Sequence, residues 1–275
     1  MNYRHAFHAG NAADCVKHAL LVALVSALQR KPSPFAVLDT HAGRGLYDLS
    51  SEAAERTGEW RQGIGRLADI TTGPLAPWLA LVRQAGFPPF YPGSPWLIRA
   101  LLRATDRLIL CEKHPEEAAA LRSALGRDAR VAIHRRDGWE AIGALTPFPE
   151  RRGLVLIDPP FEQPGEFDRL AEAFRLLRRR FRAGVVAAWY PIKHRAPVRA
   201  FEDGLREAGL TDILAAELWL REPTDPARLN GCGVMVMNPP YGFAAEAAAI
   251  LSALLARLSD GEPGAGAEVK VVADE

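Results

Sequence analysis

Cysteine is scarce in this chain. Cys15, Cys111 and Cys232 are the only three among 275 residues, odd in number, far apart and without a Cys-x-x-Cys pair. That argues against a disulfide framework or a zinc ribbon and suits a reducing compartment. Excess charge is also lacking: 34 Lys and Arg face 33 Asp and Glu, a formal net charge of +1. The chain as a whole is therefore no basic wrapper for nucleic acid, and an anionic polymer would have to be held by a local patch. No uninterrupted apolar run approaches the roughly 18 residues that cross a bilayer. The N-terminus shows no charged-then-apolar signal pattern. No internal repeat is visible. These absences predict a cytoplasmic protein without a membrane partner, long enough for one large domain over 1–275.

What is present is an alternation of short apolar runs and helical patterns. Asn11 suits a helix N-cap, and Val16, Leu20, Leu24 and Leu28 form a helical stripe that stops before Pro32. Buried strands are expected at Phe35–Leu38, Arg107–Cys111, Arg130–His134, Leu154–Ile157 and Gly184–Tyr190. Helical patterns at Pro115–Leu125, Trp139–Leu145, Phe167–Phe181 and Ala196–Ala208 separate the later ones. Strand and helix alternating at this spacing predict an α/β fold with a doubly wound, mostly parallel sheet. Asp212–Leu220 and Gly233–Met237 have no helical pattern between them and are expected to close it as an antiparallel hairpin, giving seven strands. Val269–Val272 could add an edge strand.

About seventy residues separate the first two strands, where a βαβ unit needs roughly thirty. The excess, about 50–102, reads as a small helical insert at the ligand edge, with helices over Glu55–Ala68 and Leu75–Ala85 and a turn at Pro88–Pro95. Residues 1–10 read as an arm.

In an open parallel sheet the ligand lies at the carboxyl ends of the strands. Those ends carry Asp39-Thr-His-Ala-Gly-Arg-Gly45, Glu112, Asp137 and Asp158. A carboxylate after the second strand can accept from both hydroxyls of a ribose, and one after the third from an adenine amine. The set suits an adenosyl group carrying no phosphate. GxGxxG fails here, because Gly43 and Gly45 are followed by Asp48, so a dinucleotide fits less well. Taken singly, Glu112 and Asp137 could equally be helix-capping acids.

The decisive stretch is Gly153-Leu-Val-Leu-Ile-Asp-Pro-Pro-Phe161. Adenine's exocyclic amine is a poor nucleophile, its lone pair being delocalised into the ring. Two acceptors aimed at its N–H bonds would pull the nitrogen towards tetrahedral geometry. The Asp158 carboxylate can be one and the Pro159 carbonyl the other, since Pro-Pro is extended and offers no competing donor. Phe161 offers a face for an extruded base, and Asp158 can then take the proton. Met237-Asn-Pro-Pro-Tyr241 fits the same pattern. If its strand is antiparallel, however, Asn238 lies at the opposite edge of the sheet and is a strand terminator.

With these residues in view, the chain resembles the bacterial 23S ribosomal RNA (adenine(2030)-N(6))-methyltransferase family. The resemblance runs through nearly the whole length and is carried by Tyr3-Arg-His5, Phe7-His-Ala-Gly-Asn11, Lys17-His18, Leu38-Asp-Thr-His-Ala-Gly43, Glu55-Arg-Thr-Gly-Glu59, Tyr91-Pro-Gly-Ser-Pro95, Asp137-Gly138, Leu156-Ile-Asp-Pro-Pro160 and Trp189-Tyr-Pro191. It implies a Rossmann-like class I methyltransferase using S-adenosyl-L-methionine, with S-adenosylhomocysteine as product. It also implies that His18, His41, Ser94, Glu112, Asp137, Gly138 and Asp158 contact the donor, with Asp158 as proton acceptor. Tyr3, His5 and Lys17 would meet the 23S ribosomal RNA, joined by Pro159 and Phe161. The family commonly has tyrosine where Phe161 stands.

Other readings of these residues remain. Ser94-Pro95 also fits an N-cap followed by proline. A zinc site built from the histidines lacks a completing ligand spacing, so no metal is expected. Arg178–Arg182 is either an RNA patch or a helix end whose cations suit the dipole. A DNA adenine methylase and a non-catalytic RNA-binding assembly factor are the alternatives in function. A monomer is expected.

Overall fold

The computed structural model describes residues 5–274. A 3-10 turn at His5–Phe7 leads into α1 (Ala12–Gln29) and β1 (Ala36–Asp39). Next come β2 (Leu46–Asp48), α2 (Glu52–Thr57), α3 (Glu59–Gln62), α4 (Ala76–Gln84), β3 (Phe90–Pro92) and α5 (Ser94–Leu101). The alternating part follows as β4 (Arg107–Cys111), α6 (Pro115–Leu125), β5 (Val131–His134), α7 (Gly138–Leu145), β6 (Gly153–Ile157), α8 (Glu166–Arg180), β7 (Val185–Ile192) and α9 (Arg195–Glu207). The chain ends with β8 (Ile213–Trp219), β9 (Gly231–Met237), α10 (Phe243–Leu258) and β10 (Gly266–Ala273).

The main sheet has the order β10-β8-β9-β7-β6-β1-β4-β5. β4 and β6 flank β1 in parallel, and β5 and β7 extend that run on either side. The order switches at β1, as the alternating pattern predicts, and the ligand crevice falls between the ends of β1 and β6. β1 and β6 are buried at every residue because helices cover both faces. Val37, Leu108, Leu154 and Leu156 pack towards α1, α5 and α10, while Leu38, Ile109, Val155 and Ile157 pack towards α7, α8 and α9.

The sheet has eight strands rather than seven. Residues 266–273 pair antiparallel with β8 along its whole length. Glu217 of β8, fully buried, helps hold them there: it accepts from Tyr190 Oη at 2.8 Å and Arg195 Nη1 at 2.6 Å, and Lys270 of β10 lies 3.6 Å away. The helix expected over Glu55–Ala68 is broken into α2, α3 and a short 3-10 turn. Gly58, at φ +64°, ends α2 in the left-handed conformation, and Gly63 ends α3. Three-residue β2 and β3 pair antiparallel, so part of the expected turn at 88–95 is strand. α5 then packs on α1, β1 and β4, covering the sheet as a crossover helix does.

α1 is the one described helix long and apolar enough to cross a membrane, yet 78% of it is buried inside the protein, against α5, α10 and β9. It is a core helix. Asn11 caps it as expected, accepting from Asp14 N at 2.9 Å.

β8 and β9 form the expected antiparallel hairpin, and β9 is antiparallel to β7 as well. Met237 accordingly pairs with Val186 at the start of β7, and Asn238 emerges at the edge away from Asp158. Its amide donates to the carbonyls of Arg182 and Gly184 at 2.9 and 2.7 Å and accepts from Arg178 at 3.0 Å. Asn238 sits at φ +53°, a left-handed conformation that asparagine tolerates. It terminates a strand. Asn238→Ala is expected to lower the unfolding free energy by about 1–3 kcal/mol, from the acceptors and guanidinium left unmatched; urea denaturation measures this.

Candidate active site

A cleft of about 920 Å³ opens at the carboxyl ends of β1, β4, β6 and β7. Its floor is the loop after β1. Asp39 ends that strand fully buried, accepting from Ser94 Oγ at 2.7 Å and from the His41 amide at 3.3 Å. Burial pushes the Asp39 carboxyl up to about 7, against the opposing pull of Ser94. The N-cap of α5 is Gly93, so Ser94 does not cap. Its hydroxyl is turned to Asp39 instead.

The next two acids are built into turns. Glu112 accepts from the Gly43 amide at 2.8 Å and the His114 amide at 2.7 Å. Asp137 caps α7 through Trp139 N at 2.9 Å and takes Lys113 Nζ at 2.8 Å. The capping reading of Asp137 thus holds in the structure. A carboxylate offers about four acceptor positions, so both acids keep some for a ligand. His41 hydrogen-bonds Thr40 Oγ1 at 2.8 Å and meets Trp139 edge-on at 5.4 Å. Burial pulls it down to about 4, and pulls His18 down to about 3; both rings are neutral at pH 7. His18 is nearly inaccessible, with its Nδ1 2.7 Å from Tyr91 Oη.

Asp158 faces the cleft from the end of β6, with Oδ2 accepting from Lys17 Nζ at 2.6 Å. Lys17 also lies 2.9 Å from Asp14 Oδ1 on the same helix. Burial alone would pull Lys17 down, but Asp14 and Asp158 hold its ammonium well above the usual lysine range. Asp14, 2% exposed, is held well below the usual carboxylate range by His5 and Lys17 despite its burial. Its Oδ2 meets His5 Nε2 and the Gly10 amide, each at 2.9 Å. One line of charge therefore runs from the arm to the acid at the end of β6.

The segment between β1 and β4 grips that arm. Glu59 binds His8 Nδ1 and Asn11 Nδ2, both at 2.9 Å, Thr57 donates to the Phe7 carbonyl, and Ile64 N donates to Gly10 O at 2.9 Å. Opposite, Phe161 stands at φ +51°, edge-on to Phe167 at 5.0 Å and Trp189 at 5.8 Å. Pro159 and Phe161 both line the cleft. Tyr3 lies outside the described residues.

Residues 32–271 match the model of the family described as "Ribosomal RNA large subunit methyltransferase D, RlmJ". A protein of Escherichia coli named "Ribosomal RNA large subunit methyltransferase J" is 38% identical over 246 residues, 88% of each chain. The protein of the same name from Haemophilus influenzae is 38% identical over 247 residues, again 88% of each. A crystal structure of a Legionella pneumophila protein superposes with a TM-score of 0.87 at 32% identity, covering 96% of this chain and 98% of that one. This chain belongs to the ribosomal RNA large subunit methyltransferase family. It is a methyltransferase of Rossmann-like fold, and its methyl donor is S-adenosylmethionine.

The cleft of this ribosomal RNA methyltransferase fits such a donor. A Cβ at Gly138 would stand 2.1 Å from Thr40 O, so the start of α7 presses against the β1 loop as only glycine allows. Gly43 is at φ +62°, and Arg44 beside it is engaged by Glu117, leaving no cation in the turn for a pyrophosphate. Of the expected site residues, His18, His41, Ser94, Glu112, Asp137, Gly138, Asp158, His5, Lys17, Pro159 and Phe161 all line this one cleft. Arg178 and Arg180 do not: they bind Asn238 and the Thr146 carbonyl. Sequence reasoning missed Asp14, whose one trace is its i,i+3 spacing to Lys17. It placed Asp39 at the ligand edge and Glu59 and Tyr91 in motifs, but gave none of them a partner.

Asp39 sets a pH dependence. Its folded pKa exceeds the unfolded value, so its contribution to stability is complete near pH 4 and lost as pH rises through about 7. The unfolding free energy of Asp39→Asn minus that of the wild type should rise from pH 4 to 7 and then level off; denaturation across that range measures it.

Proposed function

We propose that the protein transfers the methyl group of S-adenosylmethionine to the exocyclic N6 amine of one adenine in 23S ribosomal RNA. The observation that carries this is the position of Asp158. It ends a parallel strand beside β1, faces the cleft, and stands between the acids Glu112 and Asp137 on one side and the rings of Phe161 and Trp189 on the other. S-adenosylmethionine, when bound, supplies an electrophilic sulfonium methyl. His18, His41, Ser94, Glu112, Asp137 and Gly138 hold it, with the acids accepting from its ribose and adenine.

Lys17 occupies Oδ2 of Asp158 and leaves Oδ1 to accept one N–H of the target amine. The Pro159 carbonyl accepts the other. Together they turn the nitrogen lone pair out of the adenine plane. Phe161 stacks on the base after it has left its helix. As the N–C bond forms the donor's S–C bond would break, its electron pair staying with the sulfur of S-adenosylhomocysteine, which leaves. The nitrogen then carries a proton it can no longer keep, and Asp158 takes it. Tyr3 and His5 meet the RNA from the arm. The chain acts in the cytoplasm as a monomer, a single methyltransferase domain with its arm at 1–10 and insert at about 50–102.

The test is transfer of labelled methyl to protein-free 23S ribosomal RNA, to large-subunit particles and to DNA. Transfer to RNA or particles is expected; transfer to DNA alone, or cofactor binding with no transfer to anything, would sink the proposal. Asp158→Ala should lower kcat by about 10²–10⁴-fold, the usual worth of a general base. Asn238→Ala, at the far edge, should keep wild-type kcat.

A further inference from the structure

The cleft does not end at Asp158. Side chains alternate faces along a strand, so Leu154, Leu156 and Asp158 of β6 share the α1 face of the sheet. Ile157 pairs with Ala188, which sets Trp189 of β7 level with Asp158 on that face. One step further, Pro191, Cys232 and Leu218 stand directly opposite one another on β7, β9 and β8. A ledge therefore leads from the reacting end of β6 across three further strands, about 14 Å at the usual strand spacing. Asp158, Trp189, Pro191, Cys232 and Leu218 all line the same cleft.

The β8–β9 connection overhangs the ledge, and it is built rather than loose. Asn230, fully buried, donates its amide to the carbonyls of Lys193 and Asp225 at 2.7 and 2.8 Å. Its backbone N–H donates to Ile192 O at 3.1 Å, and its carbonyl accepts from Leu220 N at 2.8 Å. Arg221 makes a two-pronged bond to Glu262, at 2.8 and 2.9 Å. These ties bring exposed Lys193 and Arg228 to one rim, beside Leu229, which is 40% exposed. Lys193 has no carboxylate partner among the described residues, and Arg228 only Glu262 at 3.8 Å. The acids beside this rim are engaged: Asp260 is paired with Arg66 at 2.6 Å, and Glu262 is held by Arg221.

The other lobe has the opposite character. Glu59, Glu112, Glu117 and Asp137 line it; of the cations there, Arg44 and Lys113 are engaged by Glu117 and Asp137, and Arg169 lies over the Trp139 ring at 5.3 Å, so carboxylates prevail. A polynucleotide whose target base is extruded brings flanking phosphates with it, and they are repelled from that lobe. We propose that the rim formed by Lys193, Arg228 and Leu229 is the subsite for the RNA strand flanking the target adenine. The two cations take phosphates, and Leu229 packs against the neighbouring nucleotide. Because hydrogen bonds to β7 already fix the connection, little ordering is lost on binding.

This inference rests on the RNA reading above, and its test separates the two. The Lys193→Ala/Arg228→Ala double variant is compared with wild type on protein-free 23S ribosomal RNA over a series of salt concentrations. S-adenosylhomocysteine binding is measured by calorimetry. The expected result is a KM for RNA raised about tenfold, with kcat and S-adenosylhomocysteine affinity within about twofold. The slope of log(kcat/KM) against log salt should become shallower by about 0.7 for each cation removed. Arg228→Lys, in an otherwise wild-type background, should keep the wild-type slope, which a merely structural role would not require. Wild-type KM and slope in the double variant overturn the subsite while leaving the RNA reading intact. A wild-type protein that transfers nothing to RNA overturns both.

Discussion

The site depends on one buried ammonium. Lys17, 6% exposed, sits between Asp14 on its own helix and Asp158 at the end of β6. Lys17 and Asp14 are out of water and Asp158 is partly so, and the ammonium between two carboxylates offsets their burial at hydrogen-bond distance; removing one partner from such a group typically costs about 3–5 kcal/mol. That constraint fixes α1 against the sheet in both register and rotation. It explains why an almost wholly apolar helix carries Asp14, Lys17 and His18 in its first two turns. The arm hangs from the same group, since His5 and the Gly10 amide reach Asp14.

A second constraint is the polarity of β9. Two stretches of this chain, Asp158-Pro-Pro-Phe161 and Asn238-Pro-Pro-Tyr241, spell nearly the same pattern after nearly the same kind of strand. β6 runs parallel to β1 and delivers its acid into the cleft. β9 runs the other way and delivers Asn238 to the carbonyls at the start of β7. Direction, not local pattern, separates a reactive group from a strand stop. The aromatic that follows tells the same story: Phe161 is packed against Phe167 and Trp189, whereas Tyr241 is 97% exposed.

The central strands were legible because burial on both faces leaves a continuous apolar signature, and their terminal acids marked the ligand edge. Edge and insert were less so. β2 and β3 are three residues each, too short for any periodicity, and β10 breaks its apolar residues with Glu268 and Lys270 and buries only Val272. The helix drawn through Glu55–Ala68 ignored Gly58 and Gly63, which end two short helices there. The link from Lys17 to Asp158 spans 141 positions and that from His18 to Tyr91 spans 73. No local rule reports contacts of that range; resemblance named Lys17, His18 and Asp158 as site residues but paired none of them. Ser94 was legible as a site residue but not in its partner, the buried carboxyl of Asp39.

The helix that carries Lys17 is held by parts made much later. α1 rests on α10 and β9, the last helix and next-to-last strand of the chain. As a ribosome extends this protein, Asp14 and Lys17 leave the exit tunnel among the first residues. α5 can cover one side of their helix early, but the α10 and β9 side is covered only when residues beyond 231 have followed. The parallel core from β1 to β7 can assemble before that point, with Asp158 at its edge. The cover over Lys17 is therefore finished from the far side of the sequence, by the return of α10 and β9 to the first helix.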